Sequence, residues 1–392
     1  MGREIEFDPA SIRPLPLDEE RFPDFSSLAI DVSGGCNLRC AYCAESMTLP
    51  KRVPMDREVL VRSVERLLEW SDPGAQLSIF FGSGEPLLQP ESVKTVGKLA
   101  GKMARKNSRC LSLFLTTNGT LLNARIIQWL VADGWEVKVS LDGPREVHDR
   151  FRTDGMGRGT YDRIERHVRT LSKKIPERFS TTSVLCKGSD PARILHEIAG
   201  LGVRTLEIVP AAAPPGAPFL PGETEIDHYR AFILAYAKSV AKSKEMPTIT
   251  RFQTQLRRVL GIGNRQIACG AGRTLFAVGP EGGLYPCYRF VGLDAFKLGD
   301  LHTGLWKDAV QLFAADCARP STERQQCGQC WASPLCDGPC FAGAALIGKG
   351  SPPPGFCEMI RADCEAALWL ADTLRVKQPK KLCRLAGIHL GR

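Results

Sequence analysis

Along most of the first two hundred residues, short β-rich runs alternate with stretches whose apolar side chains recur at helical spacing. Six strands are predicted, over residues 27–33, 76–82, 112–118, 136–142, 180–186 and 205–210. Between them, residues 56–70, 90–104 and 160–172 place apolar side chains three and four apart, as on one face of a helix. Strands separated by helices favour parallel pairing, because a parallel neighbour needs a long crossover and a helix supplies it. The count is six βα-like units, not the eight of a closed barrel. The pattern then breaks. Residues 210–222, PAAAPPGAPFLPG, read as a linker, and a helical segment follows over 223–244. A last helix is predicted over 358–374.

Composition adds limits. At 392 residues and 43% hydrophobic content the chain exceeds one core, so more than one module is expected. The first 24 residues are charged and proline-broken, unlike a signal peptide, and no apolar run is long enough to span a bilayer. A cytoplasmic enzyme is the expectation. Fifteen cysteines without a secretory signal then point to metal ligation rather than disulfides. The net charge of +9 reads as a solvated basic surface, with docking of an acidic peptide or acidic reductase as the alternative. No nucleic-acid motif accompanies it.

The sharpest chemistry lies just after the first strand. Cys36, Cys40 and Cys43 form a C-x3-C-x2-C cluster with Tyr42 before the third thiol. Three thiolates can hold three irons of a [4Fe-4S] cube and leave the fourth open to a ligand. A zinc knuckle would need a fourth ligand, and no Cys or His follows before Cys110. This spacing resembles the radical S-adenosylmethionine (radical SAM) superfamily, in which the open iron chelates the methionyl amino and carboxylate groups of SAM. The resemblance implies a partial (β/α)6 barrel with its chemistry at the C-terminal strand ends.

Polar groups at those strand ends are the candidates for holding SAM. Gly82-Ser83-Gly84-Glu85-Pro86 resembles the GGEP motif of the family, which binds the SAM amino group; Ser83 stands where glycine is usual. Asn118 ends the third strand. The run from Ser140 through Asp142 to Arg152 resembles that of enzymes related to anaerobic sulfatase maturases, where the matching Ser and Arg contact SAM. His148, in the same run, reads as a surface residue paired with a carboxylate.

A second cysteine array follows. Cys269, Cys287, Cys327, Cys330, Cys336, Cys340 and Cys357 are too many for one metal and nearly enough for two four-iron clusters, although two zinc sites satisfy the spacing as well. The array resembles the SPASM extension of radical SAM enzymes. That pattern assigns Cys327, Cys330, Cys336 and Cys357 to an outer [4Fe-4S] cluster and Cys269, Cys287 and Cys340 to an inner one. The inner iron left over is either open or held by Cys317; Cys110 and Cys186 read as buried inert thiols. The implied organisation is an N-terminal segment (1–24), a radical SAM partial barrel (25–222), a helical connector (223–262), a SPASM domain (263–360) and a C-terminal helix with a basic tail (361–392).

These resemblances imply three [4Fe-4S] clusters, SAM and a flavodoxin- or ferredoxin-type reductant. They lead to a maturase that cross-links a ribosomally made peptide. A sulfatase-type formylglycine-forming enzyme or a small-molecule SPASM dehydrogenase is the alternative. The family acid after the second SPASM cysteine is here Tyr288, the one candidate for a catalytic group. With 35 residues before Cys36, a leader-binding winged helix is not expected there, and a separate leader-binding protein would serve instead.

Overall fold

The computed structural model describes residues 25–50, 52–242, 246–263, 269–317, 327–336, 338–348 and 351–388, with only the backbone described for 316 and 317. All six predicted strands form: β1 (Ser27–Ile30), β2 (Leu77–Phe81), β3 (Leu111–Thr117), β4 (Glu136–Ser140), β5 (Phe179–Leu185) and β6 (Thr205–Pro210). They pair in parallel and in sequence order. The crossovers carry α1 (Ala44–Thr48), α2 (Arg57–Trp70), α3 (Pro90–Lys106), α4 (Ala124–Ala132), α5 (Arg145–Phe151), α6 (Tyr161–Lys174) and α7 (Pro191–Gly200).

Alternation along the strands decides which face meets the helices. On β2, Leu77, Ile79 and Phe81 are fully buried on one side, while Ser78 and Phe80 on the other are half-buried. The first set joins Val64 and Leu67 of α2 and Val93 and Val96 of α3 in a continuous core. Burial of each such side chain stabilises the fold by roughly 1.5–3 kcal/mol. The opposite face stays available for a site.

The sheet extends beyond the six units. Five short strands join it, β7 (Thr248–Ile249), β8 (Leu275–Val278), β9 (Gly283–Tyr285), β10 (Gly299–Asp300) and β11 (Gly304–Leu305), in the order β11-β10-β9-β8-β1-β2-β3-β4-β5-β6-β7. β8 runs parallel to β1, with Ser27 opposite Leu275 and Ile30 opposite Val278. The start of the cysteine-rich region is therefore hydrogen-bonded into the same sheet as the βα units. The proline- and alanine-rich stretch is also not a spacer. Ala211 and Ala213 are buried, Ala211 N–H donates to Leu185 O (3.0 Å), and Lys187 N–H donates to Phe219 O (2.9 Å). Small side chains let this segment lie against the ends of β5 and β6.

The remaining helices are α8 (Glu223–Lys242), α9 (Thr250–Val259), α10 (Lys307–Cys317), α11 (Phe341–Leu346), α12 (Phe356–Arg375) and α13 (Pro379–Leu385). The predicted helices over 223–244 and 358–374 correspond to α8 and α12. No helix among the described residues is long and apolar enough to cross a membrane. A buried polar triad joins three of these helices: Asp363 of α12 accepts from Tyr229 Oη of α8 (2.6 Å) and Arg251 Nε of α9 (3.2 Å). Asp363 and Tyr229 are fully buried. Asp363→Ala would leave a buried guanidinium unpaired, so a loss of about 3–5 kcal/mol is expected in urea unfolding. Asp363→Asn, which keeps the shape and one acceptor oxygen for one of the two donors, should lose less.

Candidate active site

The cysteine loop leaves the C-terminal end of β1 and is stitched to the segment after α5. Arg39 N–H donates to Thr153 O (2.7 Å), Ala41 N–H donates to Phe151 O (2.9 Å), and Leu38 bridges Asp154. Three donors converge on the sulfurs: Leu38 N–H on Cys36 Sγ (3.4 Å), Asn118 Nδ2 on Cys36 Sγ (3.7 Å), and Arg152 Nη1 on Cys40 Sγ (3.8 Å). Such donors favour thiolates. Burial, opposed by the Leu38 N–H and reinforced by Glu85 and the other two thiols, pushes the Cys36 thiol up to about 11. A bound cation would reverse that balance, because metal coordination favours the thiolate. The three residues thus fit the iron cluster proposed for them.

The glycine loop crosses directly over this one. Gly84 has φ +57°, and a Cβ there would stand 2.1 Å from Gly35 O. Only glycine permits this crossing. Glu45 Oε2 accepts from Ser83 Oγ, Gly84 N–H and Arg52 Nη2, each at 3.0 Å. Arg52 Nε also pairs with Asp31, at the end of β1. Ser83 therefore turns its hydroxyl toward Glu45 and Arg52. Glu85 is fully buried and accepts from Thr117 Oγ1 (2.7 Å), Asn118 N–H (2.7 Å) and Leu87 N–H (3.0 Å). Its carboxylate braces β3. Asn118 in turn donates to Asn37 Oδ1 (2.9 Å) beside Cys36.

A second buried cluster closes the far side. Asp142 accepts from Tyr42 Oη, from Arg152 Nε (3.0 Å) and from Val184 N–H (3.0 Å). Arg152 thus has its Nε committed to Asp142 and its Nη1 turned to Cys40, whereas Ser140 stands half-buried at the end of β4. His148 corrects the sequence reading: it is fully buried, not at the surface. Its Nδ1 accepts from Asp142 N–H (3.3 Å), which places the proton on Nε2, within 2.9 Å of Thr160 Oγ1. An apolar position on a short amphipathic helix explains the burial. Cys186 is buried as expected; Cys110 is exposed.

The second array forms two groups. Cys327, Cys330, Cys336 and Cys357 line one pocket with Phe356 and Ile360. Burial is the main cause pushing the Cys287 thiol up to about 12, with Cys340 and Cys269 both in range and adding to it. Cys327, Cys330, Cys336 and Cys357 are thus brought together, and Cys287 lies near Cys340 and Cys269. Among the described residues no three His, Cys, Asp or Glu side chains converge on a single-ion site, and this holds for Cys36, Cys40 and Cys43 as it does for the second array. A four-iron cube takes one thiolate per iron and tolerates wider spacing. The Cys317 side chain lies outside the described residues. Tyr288 packs on Phe80 of β2 (ring centroids 5.8 Å), and a Cβ on Gly82 would stand 2.5 Å from that Phe80 ring. Tyr288 therefore sits at the seam between the glycine loop and the inner cysteines. Sequence reasoning missed Arg52, Glu45 and Asp31, which belong to no motif; only the buried ends of neighbouring elements reveal them.

The family model described as Radical SAM superfamily matches residues 30–199. A cysteine-type anaerobic sulfatase-maturating enzyme of Clostridium perfringens (strain 13) is 26% identical over 344 residues, covering 81% of this chain and 89% of that protein. Native anSMEcpe with bound AdoMet and Cp18Cys peptide superposes with a TM-score of 0.72 at 23% identity, covering 92% of this chain and 98% of that one. Streptococcus suis SuiB bound to precursor peptide SuiA gives 0.59 at 14% identity, covering 87% and 78%.

Two outcomes are expected. Gly84→Ala should weaken SAM binding at least about tenfold in equilibrium dialysis, given a strained φ that costs of order 1–3 kcal/mol and the clash with Gly35 O. The second concerns His148, which burial holds down at about 4, against an ordinary 6.5. Between those values the unfolded chain takes up a proton that the folded His148 refuses, so stability falls as pH drops. The loss should be about 2 kcal/mol from pH 7 to pH 5. Urea midpoints of His148→Gln should show a flatter slope over that window; an equal slope would remove His148 as the cause.

Proposed function

The chain belongs to the radical SAM superfamily, and we propose that it is a peptide maturase that installs an oxidative cross-link, a thioether or carbon–carbon bond, in a ribosomally made peptide. When bound, a [4Fe-4S] cluster and SAM supply a radical that abstracts hydrogen, and two auxiliary clusters supply an acceptor for the remaining electron. The protein's own part is positional. Cys36, Cys40 and Cys43 would hold the first cluster, and Asn118, Arg152 and the Leu38 N–H would support its sulfurs. The Gly82–Pro86 loop and Ser140 would hold SAM. Asp142 and Glu85 keep those parts in register through buried hydrogen bonds.

One observation carries the choice of reaction. At the seam between the mouth and Cys287, the side chain is the Tyr288 phenol packed on Phe80, not a carboxylate. Arg289 is the largest single influence and pulls the phenol down, but burial, Cys287, Glu45 and Cys340 together raise it, so it stays protonated and is not a base at neutral pH. Cross-linking gives one hydrogen atom to the radical, one electron to an acceptor and one proton to solvent. Where the joining atom is a thiol ionised before the radical step, that proton has already left and no base is needed beside Cys287. A phenol there fits this better than a reaction that sheds its proton after the radical forms. Structures of anSMEcpe and SuiB with peptides support a peptide as substrate. The second reading, formylglycine formation, is favoured by the near end-to-end match to anSMEcpe. A flavodoxin- or ferredoxin-type reductant and a separate leader-binding protein complete the proposal.

Incubation of a peptide encoded beside this gene with enzyme, SAM and reductant should remove two hydrogens per event, read by mass spectrometry. Conversion of a sulfatase Cys or Ser peptide to formylglycine, with the neighbouring peptide untouched, would replace the first reading by the second. Replacing Cys36, Cys40 and Cys43 together by Ala should abolish SAM cleavage and remove about a third of the iron, as one of three clusters. Cys340→Ala should retain SAM cleavage and lose cross-linked product.

A further inference from the structure

Arg289 follows Tyr288 at the seam and lies with its guanidinium 5.7 Å from the Tyr288 ring centroid. It is half-buried, donates a hydrogen bond to the Tyr288 hydroxyl and lies within electrostatic range of Cys340 and Cys287. Three other arginines near the cysteine sets answer to acids, Arg152 to Asp142 (3.0 Å), Arg52 to Glu45 (3.0 Å) and Arg361 to Glu358 (3.0 Å), while Arg39 beside Cys36 donates to the Cys36 and Leu38 carbonyls. No carboxylate among the described residues pairs with Arg289. Glu45, the acid in range of Tyr288, is already engaged by Arg52, Ser83 and Gly84. The Tyr288 hydroxyl takes one of the five N–H donors of Arg289 and no carboxylate takes the rest, so donors remain for an acid carried by a ligand.

Its place also limits what that ligand is. Tyr288 touches Phe80, and Phe80 lies against Gly82 of the loop that would hold SAM. A molecule lying between the SAM loop and the inner cysteines would pass along this aromatic wall and beneath Arg289.

Building on the peptide-maturase reading, we propose that Arg289, laid over Tyr288 at this seam, receives a carboxylate of the substrate and so selects peptides with an acidic residue beside the one modified. The planar fork of arginine suits a carboxylate in two-point contact, which lysine cannot reproduce. Arg289 is thus a specificity-determining residue; the aromatic wall sets the direction of approach.

Two synthetic peptide pools test this. They share every position except those flanking a central cysteine, which are Asp or Glu in one pool and Asn or Gln in the other. Binding is measured by anisotropy on reconstituted holoenzyme at low salt. The acidic pool should bind about tenfold more tightly, the effect of one charge-assisted contact. Arg289→Gln should erase that preference, and Arg289→Lys should keep only part of it. Equal binding of both pools by the wild-type enzyme overturns the role of Arg289 and leaves the peptide reading standing; binding of neither removes both. A preference that survives Arg289→Gln, with a shifted reduction potential of the inner cluster, would assign the guanidinium to cluster charge and overturn the proposal. Because the wild-type comparison stands alone, failure of a variant to load iron does not rescue the idea.

Discussion

The buried ion pair between Arg52 and Asp31 governs the geometry of the mouth. Asp31 ends β1, just before the cysteine loop, and Arg52 lies just beyond α1, which follows Cys43. The pair therefore clamps the loop from both sides. Through Glu45 the same guanidinium reaches Ser83 and Gly84, so the second loop is fixed by the same charge. Desolvation of these ions is offset only because nearly every lone pair and N–H is used. Removing one partner would leave the others charged and unanswered in a dry place, and both loops would loosen together.

The far side is organised by a similar rule with different chemistry. Asp142 gathers a phenol, a guanidinium and a backbone N–H, and His148 secures the Asp142 backbone. Carboxylates in this mouth mostly hold protein rather than face a substrate. That leaves donors, sulfurs and apolar rings as the groups turned toward the reacting space. Such a lining suits radical chemistry, in which the protein's task is to position and to exclude water rather than to shuttle protons.

Much of this was legible in the chain itself. The six strands and the helices α2, α3 and α6 follow from period-two and period-3.6 patterns that extend over several turns or residues. The grouping of the distal cysteines came from the resemblance to the SPASM extension, since spacing alone left two zinc sites open. Strands β7 to β11 were not seen, because segments of two to four residues carry no measurable period and several contain glycine. The stretch over 210–222 looked like a spacer because proline and alanine lack large apolar groups, although small side chains are what close packing there requires. Arg52 was invisible for another reason. A lone arginine in a loop has no local signature, and its partners are set by tertiary structure alone. His148 was misplaced because a histidine among charged neighbours reads as surface until the helix is rotated onto the sheet.

The pairing of β1 with β8 bears on how the molecule comes to exist. Ser27 and Leu275 are neighbours in the sheet yet lie most of the chain apart. While the polypeptide is being made, β1 can pair with β2 early, but its other edge waits for the distant C-terminal half. Until that strand arrives the edge is open, a template for wrong pairing between chains. Because the cysteine loop springs directly from β1, its anchoring strand is fully held only late in synthesis. The metal-binding loop and the distal cysteine module thus mature as one cooperative unit, and truncated or stalled chains would carry an exposed edge next to three reactive thiols.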